Sequence, residues 1–129
     1  MEKLKILILD DDYDIGMMMK MMLKFKGYDV NVFTNPYLIE EEISNQYYDL
    51  IIMDMLLSGR NGIDICEALK SNPALAPIPL IMMSAYPDGR EICLRAGAND
   101  FIAKPFELKE VLFKLSGVLK ILKDKTAGQ

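Results

Sequence analysis

The chain has 129 residues, 51% of them apolar and 26% charged, with a net charge of −4. That length suits one domain with its own core. The acidic balance argues against a nucleic-acid-binding surface, and the absence of histidine removes histidine-based catalysis and most zinc sites.

Lys5-Ile6-Leu7-Ile8-Leu9 is a run of branched aliphatics and predicts a buried strand. Asp10, Asp11 and Asp12 follow it directly. Like charges this close repel by roughly 4 kcal/mol per pair at ~4 Å and an effective dielectric of ~20. Such a cluster holds a cation or shifts a carboxylate pKa, or it caps the next helix. The triplet alone leaves both readings open. Ile15, Met18, Met19, Met22 and Phe25 then mark a helix closed by Gly27, with Met17 toward its polar side and Met21 at the margin. Val30–Phe33 predicts a second strand, and Pro36, Leu38, Ile39 and Ile43 a second helix. Leu50–Met53 is a third strand, followed by a helix through Ile63, Ile65, Cys66 and Leu69 that stops at Asn72-Pro73. Ile78–Met83 is a fourth strand, Asp88–Arg95 a short helix closed by Gly97, and Phe101–Ala103 a fifth strand. Leu108, Val111, Leu112, Leu115, Leu119 and Leu122 mark a long last helix. Residues 1–122 are expected to form the domain, and 123–129 a disordered tail.

Strict alternation of strand and helix predicts a five-stranded parallel sheet covered on both faces by five helices, a doubly wound α/β fold. Cys66 and Cys93 lack CxxC spacing and read as small buried hydrophobes in a reducing compartment. No apolar stretch reaches membrane-spanning length, and Met1-Glu2-Lys3 opens no signal-peptide core, so the expected location is the cytoplasm, away from any membrane.

The residues that follow the strands carry the chemistry: Asp10, Asp11 and Asp12 after the first, Asp54 after the third, Ser84 after the fourth and Lys104 after the fifth. In a parallel sheet these ends share one edge, where open α/β sheets bind ligands. Carboxylates, a hydroxyl and an ammonium are the parts needed to handle a phosphoryl group together with a hard cation such as Mg²⁺.

Taken together, Ile6-Leu7-Ile8-Leu9-Asp10-Asp11, Asp49 to Asp54 with Gly59 and Gly62, Ser84-Ala85, and Ala96-Gly97-Ala98 running to Lys104-Pro105-Phe106 resemble the receiver domain of bacterial two-component response regulators. The resemblance covers roughly residues 4 to 121. It implies a flavodoxin-like sheet of strand order 2-1-3-4-5 and a phosphorylation switch in signal transduction, working as a regulator or within a phosphorelay. Asp54 would be the phosphoacceptor, receiving its phosphoryl group from a phosphohistidine on a sensor histidine kinase or a histidine phosphotransfer protein. Asp10, Asp11, Asp54 and the Leu56 backbone carbonyl would hold Mg²⁺ or Mn²⁺. Lys104 would pair with Asp54, Ser84 would bond the phosphoryl oxygen, and Phe101 would occupy the aromatic switch position. Leu56 and Tyr86 would tune hydrolysis. The domain would catalyse only its own phosphorylation and dephosphorylation. Met17 and Met21 are either packing residues or part of a docking patch for a phosphodonor helix.

Some positions depart from the family pattern. Ser58 stands where proline is common, which predicts a looser loop. Asn61 replaces a frequent acid, and Phe101 lacks the hydroxyl of a Tyr or Thr. The stretch from Ser84 to Gly97 is a little short and contains Pro87, so the fourth helix should be short or displaced. The lysines of the last helix read as a solvated face. A haloacid-dehalogenase-type phosphatase would use Asp10-x-Asp12, Ser84 and Lys104 but leaves Asp54 without a role. A phosphorylation-independent interaction module would not need the acidic and basic set, and flavin binding lacks its phosphate loop. The sequence names neither the downstream target nor the pathway.

Overall fold

The runs Ile6–Leu9, Leu50–Met53 and Leu80–Met83 are apolar throughout and fully buried, because both faces of the sheet are covered there. A computed structural model describes residues 3–127, with side chains through residue 120. Strands β1 (Lys5–Leu9), β2 (Asp29–Phe33), β3 (Leu50–Asp54), β4 (Leu80–Ser84) and β5 (Asp100–Ala103) form one parallel sheet in the order β2-β1-β3-β4-β5. Helices α1 (Tyr13–Phe25), α2 (Ile39–Asn45), α3 (Gly62–Ser71), α4 (Gly89–Arg95) and α5 (Leu108–Ala127) alternate with them, and a 3-10 turn, Pro36–Leu38, leads into α2. This is the flavodoxin-like order expected from the resemblance.

Successive strand residues point to opposite layers. Ile6, Ile8, Leu50, Ile52, Ile81 and Met83 pack with Met19 and Leu23 of α1 and with Val111 and Leu115 of α5. Leu7, Leu9, Ile51, Met53, Leu80 and Met82 pack with Ile39 and Ile43 of α2, Ile65 and Leu69 of α3, and Cys93 of α4. Cys66 and Cys93 are both fully buried in this second layer, and burial pushes each thiol up to about 11.

Three local expectations change. The inward arc of α1 is Gly16, Met19 and Leu23, while Met18 points outward and Phe25 is 86% exposed. Glycine is silent in a hydropathy wheel. At Gly16 a Cβ would lie 2.8 Å from Val32 Cγ1, so the helix rolls its side-chain-free position onto β2 and turns Met18 and Phe25 out. β4 begins at Leu80 rather than Ile78, because Pro79 has no N–H for the ladder. The last helix continues through Ala127 into the stretch expected to be a disordered tail. No Pro or Gly interrupts it between Gly117 and Gly128, and Leu, Lys and Ala are good helix formers. Residues 128 and 129, and the Leu122 side chain, lie outside what is described. The fourth helix is short, seven residues.

Candidate functional site

Strand register brings the site together. Leu9 pairs with Met53, Asp54 with Met83, and Ser84 with Ala103, so Asp10, Asp54, Ser84 and Lys104 all come to the C-terminal edge of the sheet. Asp10 is fully buried, Ser84 is 2% exposed and Asp54 only 9% exposed. Lys104 follows β5 directly, and its peptide bond to Pro105 is cis. The Lys104 ammonium donates to Asp54 Oδ2 at 2.5 Å and to Asp10 Oδ2 at 3.2 Å.

The remaining carboxylate oxygens are satisfied by the backbone. Asp10 Oδ1 accepts from the Asp12 N–H at 2.9 Å, and Asp54 Oδ1 from the Leu56 N–H at 3.0 Å. Both are turns in which an Asp bonds the N–H two residues on. Asp12 itself faces away from this cluster and caps α1, accepting from the N–H groups of Asp14 and Ile15 at 3.0 and 3.2 Å. The two readings of the acidic triplet thus divide between its members.

Burial pushes the Asp10 carboxyl above the ordinary 3.8. The Asp12 N–H and the Lys104 charge oppose that rise, and the charge of Asp54 adds to it. Burial also works against the Lys104 ammonium, but the hydrogen bond and charge of Asp54, with the charge of Asp10, outweigh it and hold its pKa above 10.5. A carboxylate whose folded pKa is raised favours its neutral form. Stability therefore falls as pH rises from 3.8 through the folded value, and stays lower above it. Asp10→Asn is accordingly expected to stabilise the metal-free protein at pH 7 and so to raise its Tm there. The gain should vanish near pH 3. Thermal melts at the two pH values read this directly, and a lower Tm at pH 7 would mean that the Lys104 attraction dominates instead.

Other expected site residues fall around this pair. Ser84 Oγ accepts from the Tyr86 N–H at 2.9 Å, and the Ser84 carbonyl accepts from the Lys104 N–H at 2.9 Å. Phe101 is buried in the α2–α4 layer. Leu56 and Tyr86 are both exposed on the same edge. Met21 is 69% exposed, whereas Met17 is half-buried, a correction to its placement on the polar side. Asp11 is turned onto the loop after β3. Its Oδ2 accepts from the Ser58 hydroxyl at 2.6 Å and the Ser58 N–H at 2.8 Å, and these bonds hold its carboxyl below the usual 3.8.

Sequence reasoning misses the tethering of that loop, which the absent proline predicts to be loose. The Tyr37 hydroxyl donates to the Gly59 carbonyl at 2.5 Å. Arg60 forks Glu40 at 2.5 and 2.8 Å and donates to the Pro36 carbonyl at 3.0 Å. Glycine is the one signal of close packing there. Gly62, capped by Asn61, opens α3 where a Cβ would overlap the Asp54 carbonyl oxygen and lie 2.7 Å from that of Met55.

As donors, the Asp10, Asp11 and Asp54 carboxylates and the Leu56 carbonyl suit a hard divalent cation. The three carboxylates are not preassembled: among the described residues no three acidic, His or Cys side chains are gathered closely enough to hold a metal ion. No described helix is long and apolar enough to cross a membrane.

Comparison with known proteins agrees with the fold. The profile of the response regulator receiver domain matches residues 6–116. The DNA-binding response regulator MtrA of Mycobacterium tuberculosis is 30% identical over 125 residues, covering 95% of this chain and 54% of that protein. The chain therefore spans about half the length of the curated relatives it matches. Among solved structures, a CheY-like response regulator receiver domain protein from Methanospirillum hungatei superposes with a TM-score of 0.88 at 26% identity, covering 96% of this chain and 99% of that one. The receiver domain of a signal transduction histidine kinase from Syntrophus aciditrophicus gives 0.83 at 30% identity, covering 90% and 89%. With its strand order and these likenesses in agreement, the chain belongs to the response regulator receiver domain family.

Proposed function

We propose that Asp54 is the phosphoacceptor of this receiver domain. Its donor would be a phosphohistidine on a sensor histidine kinase or a histidine phosphotransfer protein, and the reaction would need Mg²⁺ or Mn²⁺. The observation that carries this reading is the Lys104 ammonium, held on Asp54 and Asp10 at once. A carboxylate oxygen of Asp54 attacks phosphorus, the P–N bond to the donor imidazole breaks, and its electron pair returns to the ring nitrogen. Lys104 stays on the acceptor and takes up negative charge on the equatorial oxygens. Bound Mg²⁺, held by Asp10, Asp11, Asp54 and the Leu56 carbonyl, would neutralise charge on the transferring group.

The product places new negative charge beside Lys104. Ser84, whose oxygen accepts from the Tyr86 N–H, still has its hydroxyl proton to donate to a phosphoryl oxygen, drawing its loop inward, with buried Phe101 following. The direct test is incubation with Mg²⁺ and a small-molecule phosphodonor, read by intact mass. One phosphoryl group should appear, and none in a chelator. No gain of mass in Mg²⁺ would overturn the reading. Leu56 and Tyr86 flank the acceptor and hinder attacking water. Once donor is removed, Tyr86→Ala should lose its label several-fold faster than wild type; equal decay would remove the tuning role.

The donor's docking surface is proposed on α1. Met18 and Met21 are outward and adjacent on the helix, and Met18 also lines an apolar cavity of about 310 Å³ with Ile15, Ala85, Lys104, Pro105 and Phe106. This moves the patch from Met17 and Met21 to Met18 and Met21. Changing both to Lys should slow transfer from a phosphorylated donor protein by roughly tenfold or more, while small-molecule phosphorylation stays unchanged. Equal slowing of both would show damage to the acceptor site rather than to a docking surface.

A further inference from the structure

The loop between β3 and α3 carries a side chain with no part in the chemistry above. Ser58 offers two donors, its N–H and its hydroxyl, and both go to the same oxygen, Asp11 Oδ2, at 2.8 and 2.6 Å. A carboxylate oxygen has two lone pairs. Oδ2 is therefore fully engaged, and by charge-assisted bonds, the stronger kind. Ser58 cannot simply follow Asp11 elsewhere. Its neighbours are fixed to the turn after β2, Gly59 through the Tyr37 hydroxyl and Arg60 through Glu40 and the Pro36 carbonyl. The result is an Asp11 carboxylate held on the loop and not clustered with Asp10 and Asp54.

We propose that Ser58 is a positioning residue, a latch that competes with the divalent cation for Asp11 and so lowers the affinity of the site for metal. The proposal rests on the reading of Asp11 as a metal ligand. A cation that takes Oδ2 must displace at least one of these donors and compete with the other for the charge of the same oxygen. One that takes Oδ1 must accept the carboxylate where Ser58 holds it or pull it free. Either route subtracts from binding, and removing the donors one at a time should return affinity in steps. Only a residue with both a backbone N–H and a hydroxyl makes the whole latch. Alanine removes the hydroxyl, proline removes both donors, and threonine keeps both.

Calorimetric titration of MgCl₂ into the full chain tests this, with wild type compared against Ser58→Ala, Ser58→Pro, Ser58→Thr and Asp11→Asn. Mg²⁺ should bind about threefold more tightly to Ser58→Ala and about tenfold more tightly to Ser58→Pro. Ser58→Thr should match wild type. Metal-free melts run alongside separate the latch from simple loop support, because lost support lowers Tm without tightening metal binding. Unchanged or weaker Mg²⁺ binding in both Ser58→Ala and Ser58→Pro would overturn the latch. If Asp11→Asn binds Mg²⁺ as wild type does, the ligand assignment fails, and the latch with it. Loss of binding in Asp11→Asn with no change in the Ser58 variants removes the latch alone.

Discussion

Asp54→Asn is expected to gain no phosphoryl mass under conditions where the wild-type chain gains one. An amide keeps the volume and planarity of the carboxyl but has no anionic oxygen to attack phosphorus. The amide oxygen of the variant can still accept from the Leu56 N–H, as Asp54 Oδ1 does, so the turn that starts the loop survives. Lys104 loses its closest partner but keeps Asp10 at 3.2 Å, so its charge is not left buried and alone. The variant should therefore stay folded, and its thermal melt is the control that makes the missing label meaningful. The partner experiment is Asp10→Asn, which removes a different carboxylate from the same pair and leaves the nucleophile in place. Label on Asp54→Asn with none on Asp10→Asn would reassign the acceptor to Asp10, the order a phosphatase of the haloacid-dehalogenase type would follow.

Gly62→Ala should cost about 2–4 kcal/mol of stability, a fall in Tm of roughly 8–15 °C. The cause is backbone against backbone. The added methyl would overlap the Asp54 carbonyl oxygen and sit 2.7 Å from that of Met55, and neither carbonyl has a side chain's freedom to swing aside. The Gly62 N–H also donates to the Met55 carbonyl at 3.0 Å, so α3 starts directly against the end of β3. Any relief must move that strand end or lift the helix. Moving it displaces Asp54 from Lys104, so the same substitution should slow phosphorylation as well as lower Tm. A melt within about 2 °C of wild type would mean the helix lifts at little cost.

The fold and the strand-end residues are legible in the sequence because both depend on position along the chain. An apolar run read as a strand fixes which residue comes next, and in a parallel sheet that residue reaches the common edge. Asp10, Asp54, Ser84 and Lys104 need nothing further to be placed there. What cannot be read depends on rotation and rotamer. The roll of α1 follows from Gly16 resting on Val32, and hydropathy gives a glycine no direction to point. Asp11 looks equivalent to Asp10 in sequence, yet one faces Lys104 and the other Ser58. That difference arises from a donor 47 residues away. In sequence Ser58 is only a missing proline, because the absence of a ring says nothing of where a new N–H will donate. Tyr37, Pro36 and Glu40 hold the loop at Gly59 and Arg60 from the far side of β1, a contact made only once β2 lies at the sheet edge.

The two cysteines offer a built-in probe. Cys66 and Cys93 are shut inside the layer under α3 and α4, and with pKa values of about 11 they are almost wholly protonated at neutral pH. An alkylating reagent can therefore reach them only when that layer opens, and it reacts fast only once the thiols meet water. The rate of their modification is thus a clock for partial unfolding of one side of the molecule, needing no label or substitution, and it can be run with and without phosphodonor to ask whether that side loosens.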